Sequence, residues 1–234
     1  MANNGYSSGS FYQSRCGVVV VRLLRRQLAR IWPDLTGQAV LGLGYAAPYL
    51  RLWRDHAART IAASPEHVGL HPWPVNRPSL VCAVNDDVLP FADLSFDRIL
   101  LVHELESTDN TKRLLREIWR VLKDDGRLML IVPNRAGLWA HSERTPFGQG
   151  RPFSPGQLGR VLQDACFSVE HQESALFLPP TRRRFLLRTA DAWEAAGRFL
   201  LPQLAGVLLA EAVKDAYAPI PTAATRRLIV MEPV

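Results

Sequence analysis

The sequence predicts an α/β domain built on a doubly wound, mainly parallel sheet, and three observations carry that reading. A short apolar run, Ala39 to Leu43, ends at the glycines Gly42 and Gly44 and leads into Pro48, a residue suited to the first turn of a helix. Farther on, apolar segments of strand length alternate with segments of helical period, the pattern of a sheet covered on both faces. Ahead of them all, Val21, Leu24, Leu28 and Ile31 recur at helical spacing between Gly17 and Trp32, with arginines between them.

Taken in order, residues 1–16 are predicted to be a loose or disordered arm, because Met1 to Ser10 is mostly Gly, Ser and Asn. The amphipathic helix is predicted to cover one edge of the sheet. After the first strand and its glycine turn comes a helix over Tyr49–Ala58. Thr60–Ala63 reads as the second strand, closed by Ser64-Pro65, and the prolines between His71 and Pro78 make that stretch irregular. Ser79–Val84 reads as the third strand, followed by the polar Asn85-Asp86-Asp87, and Phe96–Val102 as the fourth.

Leu114, Leu115, Ile118, Trp119 and Leu122 then line one face of a helix that ends before Gly126. Arg127–Val132 is the fifth strand, stopped by Pro133. Asn134–Phe153 is a loop of about 20 residues, a length that usually marks function or disorder. Ser154 caps a helix that carries Pro155 in its first turn and runs to Ala165. Phe167–Ala175 is a strand, Ala190–Leu201 a helix within an insert over 176–203, and Gly206–Val213 the last strand. One of the two final strands is predicted to run antiparallel at the edge. Residues 17–214 thus form one domain, and 215–234 a surface tail.

Apolar content of 47% and charged content of 21% describe a soluble globular protein. The formal charge of +6 is nearly all arginine, since only Lys112, Lys123 and Lys214 are lysines. Arginines concentrate at Arg22, Arg25, Arg26 and Arg30 and at Arg182, Arg183, Arg184 and Arg188, runs that solvated faces also explain. The rest are scattered, and a nucleic-acid surface is not expected. Cys16, Cys82 and Cys166 lie far apart and lack metal-ligand spacing with any histidine, which points to reduced thiols, no metal and a cytoplasmic location. Val18–Val21 is too short for a targeting core, and Phe199–Ala212 is interrupted by Pro202, Gln203, Gly206 and Glu211, so no membrane span is expected.

Leu89-Pro-Phe-Ala-Asp-Leu-Ser-Phe-Asp97, the strand Arg98–Val102 with His103-Glu-Leu-Glu106, and Leu115-Arg-Glu-Ile-Trp-Arg-Val-Leu-Lys-Asp-Asp-Gly-Arg-Leu-Met-Leu-Ile-Val-Pro-Asn134 carry a family resemblance. Together they resemble the second half of a class I S-adenosylmethionine (SAM)-dependent methyltransferase of the type-11 domain family. Arg151-Pro-Phe-Ser-Pro with its helix and Leu204–Lys214 as closing strand fit as well, so the resemblance covers about Ala39 to Lys214. It implies a seven-stranded Rossmann-like sheet with SAM across the carboxyl ends of the first three strands. The cofactor-binding positions it implies are Gly42, Gly44, Tyr45 and Ala46 in the glycine turn, Ala62 and Ser64 at the second strand, Asn85 and Asp86 after the third, and Val102 at the end of the fourth.

The chain departs from the family pattern at these positions. Where the family reads acidic-x-G-x-G-x-G, this chain has Gly42 at the acidic position and Gly44, Ala46 and Pro48 at the glycines. The carboxylate that grips the ribose falls at Ala62, with Ser64 and Glu66 as nearest substitutes. The acidic residue after the third strand falls at Asn85, with Asp86 and Asp87 beside it. Losing one charge-assisted grip is worth roughly 1.5–3 kcal/mol, or one to two decades of affinity. Gly42-Leu-Gly-Tyr-Ala-Ala47 also matches the dinucleotide fingerprint, but no acid follows about twenty residues on, so nicotinamide or flavin is not expected.

Methyl transfer from SAM requires proximity, alignment and sometimes a base on the acceptor. The catalytic candidates are His103 and Glu104, at the carboxyl end of the fourth strand. An imidazole there can serve as general base, or simply bond to a loop. Tyr45 can cover the ligand or pack. Asn134 and Arg135 after the fifth strand, and Trp139, His141, Arg144 and Arg151 in the long loop, are candidates to meet substrate. Trp193, Ala196 and Leu200 are spaced to roof the same cleft. Two functions follow: a methyltransferase with a weakened cofactor site and an unidentified acceptor, or a catalytically inactive methyltransferase-fold protein that binds or regulates a protein partner.

Overall fold

A computed structural model describes residues 8–65, 68–69, 72–74, 77–85 and 87–215. Part of the expected loose arm is ordered into helix α1 (Ser8–Gln13), which buries Phe11 and Tyr12. So short a helix gains little from its own hydrogen bonds, and the two aromatic side chains supply the tertiary contact that fixes it. The remainder of the arm before Ser8, and the tail beyond Asp215, lie outside the described residues. Ser14 accepts from the Gly17 amide to cap α2 (Arg15–Ile31), whose Val20, Leu24 and Leu28 are fully buried.

Seven strands form one sheet: β1 (Ala39–Gly44), β2 (Arg59–Pro65), β3 (Val81–Val84), β4 (Phe96–Val102), β5 (Leu122–Pro133), β6 (Phe167–Ala175) and β7 (Val207–Lys214), in the order β3-β2-β1-β4-β5-β7-β6. The first five pair in parallel, and β7 runs antiparallel to both β5 and β6. The antiparallel strand is therefore interior, not at the edge. β7 is buried along nearly its whole length and needs neighbours on both sides, whereas β6 carries Ser168, Glu170, His171 and Gln172 and tolerates the exposed edge.

The pleat divides the core in two. On one face Val40, Leu100, Met129 and Leu209 share one core cluster with the apolar side of α2. On the other, Leu41, Leu101, Leu130 and Ala210 meet α4 (Thr111–Val121) and α5 (Pro155–Asp164), the latter closed by a full capping box between Ser154 and Gln157. Trp119 does not join the buried face of α4; it is 38% exposed, with Lys214 Nζ 4.2 Å from its ring centroid.

The most family-like stretch works as a clamp. Arg120 on α4 donates to the carbonyls of Leu89 and Phe91 and pairs with Asp93 and Glu117, while Glu117 accepts from the Leu89 amide. Asp97 accepts from the Ala39 amide at 2.8 Å and from Lys123 at 2.7 Å, which sets the starts of β1 and β4 side by side.

Two elements differ from expectation. The helix after the glycine turn, α3, spans only Ala47–Leu50, and the chain then coils on through alternating three- and four-residue turns to Ala57. Trp53 in that segment is buried and donates to the Trp32 carbonyl, a tertiary bond that outweighs helix continuation. The insert carries α6 (Arg184–Arg188) and α7 (Ala190–Leu200), but α7 does not roof a cleft with Trp193 and Leu200, which are 40% and 67% exposed. Its inward residues are Ala190 and Glu194, and Glu194 accepts from the amides of Leu176, Phe177 and Leu178.

Candidate functional site

Two strand ends build the site. Gly44, the last residue of β1, pairs with Val102, the last of β4, and the Tyr45 amide donates to the Val102 carbonyl at 2.9 Å. The approach is so close that a Cβ on Gly44 would lie 2.2 Å from that carbonyl oxygen, and its φ of +72° is one that only glycine adopts freely. Packing of β4 against the turn therefore already requires this glycine. Gly42 has a similar reason: a Cβ there would lie 2.6 Å from the Ala46 methyl and 2.7 Å from Leu50 Cδ1. The acidic side chain expected at position 42 has no room, and the extra methyl at Ala46 fills the space it would have used.

Beyond the turn lies a cavity of 180 Å³ whose lining includes Gly44, Tyr45, Ala62, Ser64, Gly69 and Trp73. Ala62 and Ser64 line this cavity, the Ser64 hydroxyl donating to the Gly69 carbonyl at 2.7 Å. Asn85 does not line it: its Oδ1 accepts from the Asp87 amide in a tight turn, and Asp87 pairs with Arg113 on α4. Asp86 lies outside the described residues, as does Glu66. Trp73 was not among the expected contacts, since its proline-rich surroundings carry no periodic signal.

At the end of β4 the backbone of His103 takes φ +57°, an uncommon conformation for a non-glycine residue and one that often marks functional sites. It turns the imidazole into a buried network in which Nδ1 lies 2.9 Å from Glu106 Oε1 and Nε2 lies 2.7 Å from the Tyr12 hydroxyl. With the Glu106 carboxylate accepting from Nδ1–H, Nε2 carries the lone pair and accepts from the phenol; the bonding partners assign this tautomer. Burial holds the Tyr12 phenol well above its usual titration range, so it is the neutral donor that Nε2 requires. Glu106 Oε2 is buried and has no hydrogen-bond partner among the described residues, which leaves the carboxylate committed to His103. Glu104 is fully buried beside the glycine turn, where a Cβ on Gly44 would stand 3.1 Å from its Oε2.

Aromatic rings close the site from above. Tyr12 stacks on Tyr45 with centroids 4.6 Å apart and bonds Tyr49 at 3.1 Å, while Phe147 meets the His103 ring edge-on at 4.6 Å. Trp139, expected to gate substrate, is instead buried with its Nε1 donating to the Leu178 carbonyl at 2.6 Å. Asn134 is likewise structural, bonding the carbonyls of Gln203 and Ala205. Tyr12 and Glu106 are the functional candidates that sequence reading missed. Glu106 had a signal in its i, i+3 spacing from His103; Tyr12 had none, lying 91 residues away.

SAM would have to occupy the cavity beside the ends of β1 and β2. Its small lining residues leave backbone exposed, and Trp73 contributes an aromatic ring, which fits an adenosyl group. Among the described lining residues there is no carboxylate, and 180 Å³ is below the roughly 300–1,000 Å³ of typical ligand pockets, so it fits part of such a ligand. A groove of 590 Å³ along α2 adjoins it at Tyr45 and Pro48. Among the described residues no group of three or more His, Cys, Asp or Glu is placed to hold a metal ion, and no helix is long and apolar enough to cross a membrane.

Residues 34–130 match the family model of a methyltransferase domain. An uncharacterized protein of Methanocaldococcus jannaschii is 42% identical over 59 residues, 25% of this chain and 23% of that protein. The chain spans between 23% and 50% of the length of the curated relatives it matches. Among solved structures, a chain from the complex of the Haloferax volcanii Trm112 methyltransferase activator with a protein taken to be a methyltransferase superposes with a TM-score of 0.62 at 20% identity, covering 94% of this chain and 100% of that one. A SAM-dependent methyltransferase from Archaeoglobus fulgidus gives 0.60 at 18% identity, covering 83% and 94%. At those identities the structural likeness is one of fold.

Proposed function

Residues 34–130 belong to the class I SAM-dependent methyltransferase family, and from that premise we propose that the protein transfers a methyl group from SAM to an acceptor whose proton is taken by His103. The observation that carries this reading is the buried Glu106–His103 pair at the end of β4, beside the glycine turn. SAM, when bound, supplies a methyl group already activated on a sulfonium.

Gly44, Tyr45, Ala62 and Ser64 would hold the adenosyl part, and Asp86 is the remaining candidate for the adenine amine. Gly42, Ala46 and Val102 shape the turn and do not line the cavity. Glu104 is fully buried beside Gly44, next to the space the cofactor would take. The acceptor's nucleophilic atom takes the place of the Tyr12 hydroxyl at Nε2. It gains the methyl group and gives up one proton, which ends on Nε2, and Glu106 steadies the resulting imidazolium. The unpaired cysteines support a reducing, cytoplasmic setting.

Calorimetric titration of SAM into the purified protein tests the reading. Saturable heat, with a rise in melting temperature, is expected; neither response at millimolar SAM would sink it. A second reading, a methyltransferase-fold binding or regulatory protein without turnover, is favoured by the lack of a carboxylate among the cavity's described lining residues. SAM retained through purification would count against it. The haloarchaeal fold relative is in complex with an activator, which supports a protein partner under either reading, to be sought by co-purification.

A further inference from the structure

The insert presents an apolar surface to solvent. α7 turns Ala190 and Glu194 inward, and Gly197 passes under Phe177, where a Cβ would lie 2.4 Å from the Phe177 Cβ. With 3.6 residues per turn, the opposite side of the helix then carries Ala192, Ala196 and Phe199, with Leu200 and Trp193 on its flank, where a surface helix ordinarily places charge. Phe199 is 87% exposed and Leu200 67%. Phe185 on α6, with Leu201 and Leu204 after α7, extends the surface. Together with Trp193 these make six of the eleven exposed large apolar residues described, all within 20 positions of one another. Patches of this kind on a soluble fold mark interaction sites.

The flanking charge has one sign. Arg182, Arg183, Arg184, Arg188 and Arg198 lie in or beside the two helices. The two carboxylates of the same segment are engaged: Asp191 pairs with Arg22 and Arg26 of α2, and Glu194 is buried against three amides. A cavity of 510 Å³ beside α6 adds Arg15 and Arg144 to Arg182 and Arg183, with no carboxylate among its described lining residues. Trp, Phe and Leu on one side of a short helix, with arginines around them, match the headgroup–acyl boundary of an anionic bilayer.

We propose that the α6–α7 insert docks the protein peripherally on an anionic lipid bilayer, the Trp193–Phe199–Leu200 stripe entering the boundary layer and the arginines meeting lipid phosphates. Docking of this kind does not require a spanning helix and does not depend on the methyl-transfer reading.

Co-sedimentation of the full chain with vesicles tests it. Binding is expected to equimolar phosphatidylcholine–phosphatidylglycerol vesicles, to weaken as salt is raised, and to be absent with phosphatidylcholine alone. A Phe199→Asp, Leu200→Asp double variant should lower the partition coefficient by about tenfold or more without moving the melting temperature, because both side chains already face water. Arg184→Glu with Arg188→Glu should weaken binding by a similar factor. Failure to sediment with anionic vesicles, or equal sedimentation of the double variant, would overturn the proposal. So would concentration-dependent self-association that the double variant abolishes, since the stripe would then serve a second copy of the chain.

Discussion

The hydroxyl of Tyr12 and Nε2 of His103 stand 2.7 Å apart, joining the first helix of the chain to the end of its fourth strand. The contact makes α1 part of the candidate site, because the phenol occupies the lone pair through which the imidazole would act.

Replacing Tyr12 by phenylalanine keeps the ring over Tyr45 and removes the donor, leaving Nε2 buried without its partner. The expected loss of stability is about 1–3 kcal/mol. A double-mutant cycle of Tyr12→Phe with His103→Ala should show a coupling of about 0.5–3 kcal/mol by urea denaturation. Strict additivity would show that the bond is not made in solution.

Gly44 and Gly159 should respond to alanine in opposite directions. Gly44→Ala places a methyl 2.2 Å from the Val102 carbonyl at positive φ, and should cost about 1–3 kcal/mol. Gly159 lies inside α5 with nothing within 4 Å of a built Cβ, so Gly159→Ala should stabilise by about 0.5–1 kcal/mol. Paired denaturation curves check both signs.

Ala62→Asp restores a carboxylate to the lining of the cavity. Charge-assisted bonds to ribose hydroxyls would tighten SAM by about ten- to a hundredfold in calorimetry, while the ligand-free protein loses stability from the buried charge. Unchanged affinity would mean that the ribose does not lie against β2.

Acid should release the clamp between α4 and the Leu89–Asp93 segment. Hydrogen bonds from Arg120 hold the Glu117 carboxyl below its usual range, helped by the Leu89 amide against the opposing effect of burial. The unfolded chain therefore binds this proton more readily. The stabilisation is complete above the unfolded carboxyl's pKa of about 4.3 and disappears as pH falls through the lower folded value. Glu117→Gln should be less stable than the parent at neutral pH, and the gap should close as the pH falls into that range.

Much of the architecture was legible in the linear chain. Phe96–Val102 and Phe167–Ala175 appear as strands at the expected residues, because bulky apolar segments between turn residues have few alternatives. Ser154 as cap and Pro155 in the first turn marked the start of α5 for similarly local reasons. The short length of α3 and the outward turn of Trp193 were not legible. Both depend on a single long-range bond set, Trp53 to Trp32 in one case and Glu194 to three distant amides in the other.

At the candidate site the balance differs. His103 and Glu104 could be located because they follow a recognisable strand, and Ala62 and Ser64 because β2 is short and bounded. Asn85 forms a tight turn with Asp87, and Asp87 pairs with Arg113, bonds that depend on the packing of α4.

By itself the sequence determined the sheet, its handed succession of strands and helices, and the two glycines at the end of β1, all of which follow from local pattern and sterics. Only the tertiary structure decided what surrounds His103. The phenol of Tyr12 reaches it from α1, the carboxylate of Glu106 orients it, and the ring of Phe147 arrives from the long loop. Hydrogen bonds and ring contacts across such separations are set by the packing of whole elements, which periodicity along the chain does not encode.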